Sequence, residues 1–122
     1  GPSAASEVAK LGDVRVCALH LEDADRKTLL PALDHLREGS QKTVVLVTGL
    51  REGRAAVLVG ATDDLTEDLH AGNLLREVLT ALGGRGGGNA RTGQGGLHPV
   101  EGDTLSKLEA SLVEQLRARL GA

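Results

Sequence analysis

The sequence predicts an α+β fold: a small mixed or antiparallel sheet packed with helices, in the order β-α-β-β-α-(Gly-rich loop)-α. Two observations carry that reading. Residues 43–50 (TVVLVTGL) and 54–60 (RAAVLVG) are nearly continuous apolar runs of strand length, the mark of strands covered on both faces. Only Arg51-Glu52-Gly53 separates them, a short Gly-containing hairpin connection. Elsewhere leucines recur at helical spacing in three stretches, which supplies helices to cover the strands.

The elements follow in order. Residues 1–12 are small and polar and read as a linker; Gly1-Pro2-Ser3, without a Met, reads as the scar of a cleaved purification tag on an excised fragment. The globular domain is therefore expected over 13–122. Val14 to Leu21 alternates as a strand with Val14, Val16 and Ala18 on one face. Asp25 is placed to cap a helix carrying Leu29, Leu33 and Leu36, in which Pro31 predicts a late start or a kink, and Gly39-Ser40 ends it. After the hairpin, Thr62-Asp63-Asp64 starts a turn. From Ala71 onward, Leu74, Leu75, Val78, Leu79 and Leu82 share a helix face, and Gly83 stops the helix. A Gly-rich loop follows from Gly83 to Gly96. Asp103 or Thr104 then caps a last helix with Leu105, Leu108, Leu112, Leu116 and Leu120 on one face.

A chain of 122 residues, 40% apolar and 25% charged, is expected to build one core. No apolar run approaches the ~20 residues of a membrane helix. Phe, Trp, Tyr, Met and Ile are absent, so Leu, Val and Ala must fill the core. The same absence argues against aromatic base stacking as a main binding mode. Cys17, the single cysteine, lies in an apolar strand and reads as a small buried hydrophobe in a reducing, cytoplasmic protein.

A net charge of −3 argues against broad attraction to polyphosphate, but between Glu77 and Glu101 no acid occurs while Arg85, Arg91 and His98 do. That window contains the most informative stretch, with eight glycines in the fourteen residues from Gly83 to Gly96. So dense a cluster needs a reason, such as close backbone approach to a ligand or an anion-binding nest. A flexible linker is the plain alternative, weakened by Arg, Asn, Thr and Gln where a spacer would carry Ser. The glycines follow a helix rather than a strand, and no Gly-Lys-Ser/Thr occurs, so neither a dinucleotide fingerprint nor a P-loop is present. His20, His35, His70 and His98 are scattered without metal-ligand spacing, and the pairs Asp63-Asp64 and Glu67-Asp68 match no cation loop. No catalytic and no metal residues are assigned.

An apolar strand ending in Val59-Gly60-Ala61-Thr62, then Asp64-Leu65, then Ala71-Gly72 opening a helix that runs into GGRGGG and a Gln-Gly-Gly, resembles the DHH-associated domain. It is most similar to the form that closes alanyl-tRNA synthetases, over about residues 14–120. The family glycines fall on Gly83, Gly84, Gly86, Gly87, Gly88, Gly95 and Gly96 and the family glutamine on Gln94. Asn89 replaces the usual basic residue, so the basic role passes to Arg85 or Arg91. The resemblance implies an RNA-binding set of these residues with His98, touching the elbow of tRNA(Ala) and helping aminoacylation and editing act on one tRNA. It implies no cofactor in this fragment, with ATP, magnesium and zinc belonging to a parent alanine–tRNA ligase. It implies as partners the tRNA and the rest of the parent, with no membrane, and a monomeric fragment of a parent that can be dimeric. Two other readings remain: the substrate-binding domain of a DHH-type phosphodiesterase acting on short oligonucleotides or cyclic dinucleotides, and a protein-interaction module. Gly95-Gly96-Leu97-His98 echoes the Gly-Gly-Gly-His substrate motif of those phosphodiesterases.

Overall fold

The computed structural model describes residues 5–121. The tag-scar reading of residues 1–3 lies outside them. Six strands form one mixed sheet in the order β1-β2-β3-β4-β6-β5. They are β1 (Ser6–Leu11), β2 (Val14–Glu22), β3 (Thr43–Arg51), β4 (Arg54–Ala61), β5 (Arg85–Gly88) and β6 (Thr92–Leu97). The helices are α1 (Arg26–Arg37), α2 (Ala71–Ala81) and α3 (Thr104–Leu120). Only β2 and β3 pair parallel, joined through α1; every other neighbouring pair is antiparallel.

The two continuous apolar runs become β3 and β4, and they are covered on both faces as expected. On one face Val16, Val44, Leu46, Val57 and Val59 pack with Leu74, Leu75 and Leu79 of α2 and Leu108, Leu112 and Leu116 of α3. On the other, Leu19, Val45, Val47 and Leu58 pack with Leu29 and Leu33 of α1. The β3–β4 connection turns on Glu52 (φ 53°) and Gly53 (φ 74°), two left-handed residues whose twist matches the flanking strands.

Helix α1 starts where the sequence places it. Asp25 Oδ1 accepts from the Thr28 backbone N–H (3.2 Å). Pro31 neither delays nor ends the helix. It sits on the exposed side, where water can satisfy the carbonyl that loses its amide partner. Before α3, Asp103 occupies the N-cap position without a side-chain bond, while Thr104 Oγ1 closes the preceding turn against the Glu101 backbone.

Two expectations are corrected. Residues 6–11 are not linker but strand β1, an edge strand that pairs with β2, holds Glu7 to Arg15 (2.9 Å) and adds Leu11 to the core. An edge strand needs little apolar sequence because one side of its ladder faces water. The stretch from Gly83 to Gly96 is not a loop either. It is the hairpin β5–β6, hydrogen-bonded into the sheet beside β4. Glycine is a poor strand former, but here it lets a helix lie directly on the strands, and that packing overrides propensity.

Candidate nucleic-acid interface

Strand alternation splits the hairpin glycines between two faces. Gly86, Gly93 and Gly95 face α2. A Cβ on Gly93 would lie 2.7 Å from the Ala71 carbonyl oxygen, and one on Gly95 would lie 2.5 Å from Leu79 Cδ1. A Cβ on Gly72 of α2 would run into the Gly88 backbone. These glycines are explained by close packing. Gly87 and Gly96 lie on the opposite, α1-side face, where a Cβ on Gly87 meets nothing within 4 Å and one on Gly96 only the Ala55 carbonyl oxygen at 3.6 Å. Neither has a positive φ. Packing gives no reason for glycine at these two positions.

The open face is a floor of two cross-strand rows: Ala56, Gly96 and Arg85 in one, Leu58, Gln94 and Gly87 in the other. Arg54 borders it, being one residue from Ala55, which faces α2, and two from Ala56, which lies on the floor. Arg54, Arg85 and His98 are exposed and, with Arg26 of α1, line a hollow of about 410 Å³ that no acidic residue borders among the described residues. None of the three arginines enters an ion pair among the described residues.

The turn end of the hairpin is built differently. Asn89 Oδ1 accepts from the backbone N–H groups of Arg91 (3.0 Å) and Thr92 (2.9 Å), so it is committed inside the turn. The first amides of α2 donate to the turn: Ala71 N–H to the Ala90 carbonyl (3.0 Å) and Gly72 N–H to the Asn89 carbonyl (2.9 Å). That helix N-terminus therefore has its donors engaged and is no free anion site. From the other side Arg37 Nη1 donates to the Arg91 carbonyl (2.7 Å) and Thr92 Oγ1 (2.9 Å). Arg91 itself pairs with Asp63 (2.7 Å), and the adjoining cleft is also lined by Asp34, Glu38 and Asp64.

The predicted set is thus brought onto one hairpin but not into one cluster. Arg91 lies five residues before Gly96, the cross-strand partner of Arg85, which puts the two about 16 Å apart along the strand. Gly83, Gly84, Arg85, Gly95, Gly96 and His98 gather around the basic hollow. Gly87 and Gln94 lie on the floor beside it. Gly88, Asn89 and Arg91 belong to the turn end, and Gly86 packs under α2. Sequence reasoning missed Arg26 and Arg54 of this hollow, and Lys27, which is exposed beside Arg26 on α1 and lines the adjoining space. The alternation of β4 puts Arg54 on the same face as Ala56, but only the β4–β6 pairing shows that this face continues onto the glycines.

The remaining candidates have structural roles. Cys17 is buried, and burial pushes its thiol above the usual range, which disfavours the reactive thiolate. His20 bridges Thr48 Oγ1 (2.6 Å) and Glu109 Oε2 (2.6 Å), tying β2 and β3 to α3. His70 caps α2 by accepting from the Asn73 N–H (3.0 Å). Asp64 accepts from Lys42 N–H (2.9 Å) and from the Thr62 hydroxyl (2.5 Å), which hold its carboxyl below the usual range, the Thr62 contact most strongly. No helix of the described chain is long and apolar enough to cross a membrane.

Comparison with known proteins follows the same lines. The family model of the DHHA1 domain matches residues 13–118. The alanine–tRNA ligase of Nitrosospira multiformis is 36% identical over 116 residues, covering 94% of this chain and 14% of that protein. The alanine–tRNA ligase of Pseudomonas syringae pv. tomato is 34% identical over 116 residues, 94% of this chain and 13% of that protein. The chain therefore spans about a seventh of the length of these relatives. Among solved structures, the C-Ala domain from Aquifex aeolicus alanyl-tRNA synthetase superposes with a TM-score of 0.75 at 24% identity, covering 93% of this chain and 97% of that one. CDC45 from Entamoeba histolytica shares the fold at a TM-score of 0.64 and 12% identity, over 92% of this chain and 24% of that one.

Proposed function

The chain belongs to the DHHA1 domain family, and from that premise we propose that it is the tRNA-contacting C-terminal domain of an alanine–tRNA ligase. In this reading it is a binding module that touches the elbow of folded tRNA(Ala) and helps the aminoacylation and editing centres of its parent act on one tRNA. ATP, magnesium and zinc belong to that parent, and the domain itself works as a monomeric unit in the cytoplasm.

The observation that carries the reading is the open glycine floor beside Arg26, Arg54 and Arg85. A surface without side chains at Gly87 and Gly96 admits the close approach of a sugar–phosphate backbone, and unpaired guanidiniums at its border suit phosphate oxygens. Only a few cations take part on a body of net charge −3. Affinity then depends on shape, and the salt dependence is shallow, about two to three phosphates' worth. The lack of aromatics keeps unstructured single strands weaker ligands.

Titration of the chain against folded tRNA and a length-matched single strand at two salt concentrations tests this. The double variant Arg54→Ala/Arg85→Ala should lose about tenfold or more of tRNA affinity and flatten the salt slope by one to two phosphates. Arg91→Ala should bind as the parent does. Equal binding of tRNA by the double variant, or a preference of the parent for the single strand, refutes the interface.

A further inference from the structure

Beside the glycine floor, Leu30 stands on α1 at 46% exposure, the exposed large apolar side chain among the described residues. Pro31 follows it, also exposed. Across from them lie Ala56, Leu58 and Gln94 of the sheet, and the space between is about 740 Å³. This space shares Arg26 and Ala56 with the basic hollow, so the two form one trough. One end is mostly apolar with Lys27 and Asp34 at its border, the other holds Arg54, Arg85 and His98, and Arg26 stands between them. The one acid bordering the trough, Asp34, is held by Arg37 (2.8 Å).

We propose that this trough is a nucleoside subsite for a single unpaired loop nucleotide of the folded RNA. The base lies over Leu30, Pro31 and Ala56, its edge within reach of the Gln94 amide, and its phosphate between Arg26, Arg54 and Arg85. The inference rests on the tRNA reading above and gives it a second contact, on α1 rather than on the hairpin. The chemistry is that of a nucleotide: a flat ring wants apolar atoms or a guanidinium plane beneath it, and its phosphate wants unpaired cations one sugar away. A peptide helix would need a longer apolar stripe than these few side chains offer. A base accounts for both ends of the trough. It also accounts for an apolar leucine left in water across from Ala56, Leu58 and Gln94.

The experiment pairs Leu30→Ser and Arg54→Ala with a series of folded tRNAs, each carrying one abasic substitution at an unpaired loop position. For the unmodified tRNA, Leu30→Ser should weaken binding about fivefold, the loss of a few apolar carbons, and leave the salt slope unchanged. Arg54→Ala should reduce the slope by about one phosphate. One abasic position should weaken the parent by a similar factor yet have no further effect on Leu30→Ser, the signature of a shared contact. A thermal melt of Leu30→Ser matching the parent shows that the fold is intact, as expected for a side chain on the outer face of α1. If no abasic position couples to Leu30 while tRNA binding and its dependence on Arg54 persist, the subsite is refuted and the tRNA reading stands; a groove that takes a protein segment instead gives this same result. If the parent binds tRNA no better than a single strand and Arg54→Ala changes nothing, both fall together.

Discussion

The two faces of the glycine hairpin use the same residue type for opposite purposes. Toward α2 the missing Cβ is filled by a neighbour: Ala71 and Leu75 close over Gly93, and Leu79 closes over Gly95. Toward α1 the missing Cβ leaves open space at Gly87, bordered by arginines that enter no ion pair among the described residues. A glycine in a strand interior weakens the strand by roughly 0.5–1 kcal/mol relative to alanine, so each one calls for a reason. On the first face the reason is the fold, and on the second packing supplies none, which is where the proposed RNA contact lies.

That contrast predicts a hierarchy of effects. Gly95→Ala and Gly93→Ala should be the most damaging changes, because backbone and packed leucines, not flexible side-chain ends, occupy the added volume. A loss of about 2–3 kcal/mol each is expected from overpacking, seen as a fall of roughly 10 °C in Tm. Gly87→Ala should do the reverse, leaving the melt unchanged or raised by a degree or more while weakening tRNA binding about tenfold, since a methyl group then stands on the floor. Tight tRNA binding by a folded Gly87→Ala variant would remove the distinction between the faces.

Most of the fold was legible in the sequence, and the failures have physical causes. The β3–β4 pair and the leucine faces of α1, α2 and α3 follow from periodicity, because burial on both faces or on one stripe writes a pattern. Strand β1 wrote none, since Glu7 and Lys10 face water on an edge strand and only Leu11 is fully buried. The hairpin β5–β6 was hidden for a different reason. Its residues are chosen for what α2 requires above them, and that requirement is invisible until Gly72 and Gly88 are known to touch. Of the candidate site the sequence names Arg85, Gly87, Gln94 and Gly96 but not their arrangement: it groups Arg91 with Arg85, whereas Asp63 and the acidic cleft hold Arg91 at the far end of the hairpin.

The two ends of the hairpin can be separated in the same way with a smaller effect. The turn end is knit by Asp64, which receives the Lys42 N–H and the Thr62 hydroxyl; Thr62 Oγ1 in turn accepts from the Thr43 N–H (3.1 Å) where β3 begins. These bonds favour the ionised carboxylate and depress its pKa in the folded state. A depressed carboxylate adds stability that is fully present above its unfolded value, about 3.9, and is lost as pH falls through the folded value. Stability of the parent should therefore decline below about pH 4, with Asp13 and Asp25, lowered by Lys42 and by the Thr28 amide, declining in the same window. Asp64→Asn should be less stable than the parent at pH 7 and converge on it toward pH 3, because the variant has no proton to take up at that site. Its tRNA affinity at pH 7 should match the parent, since the basic hollow lies at the other end of β6. Denaturant melts from pH 3 to 7 with a parallel tRNA titration check both parts. A gap in stability that stays constant with pH would mean that the Asp64 bonds do not depend on its charge. Lost tRNA binding at pH 7 would mean that the RNA contact reaches the turn end after all.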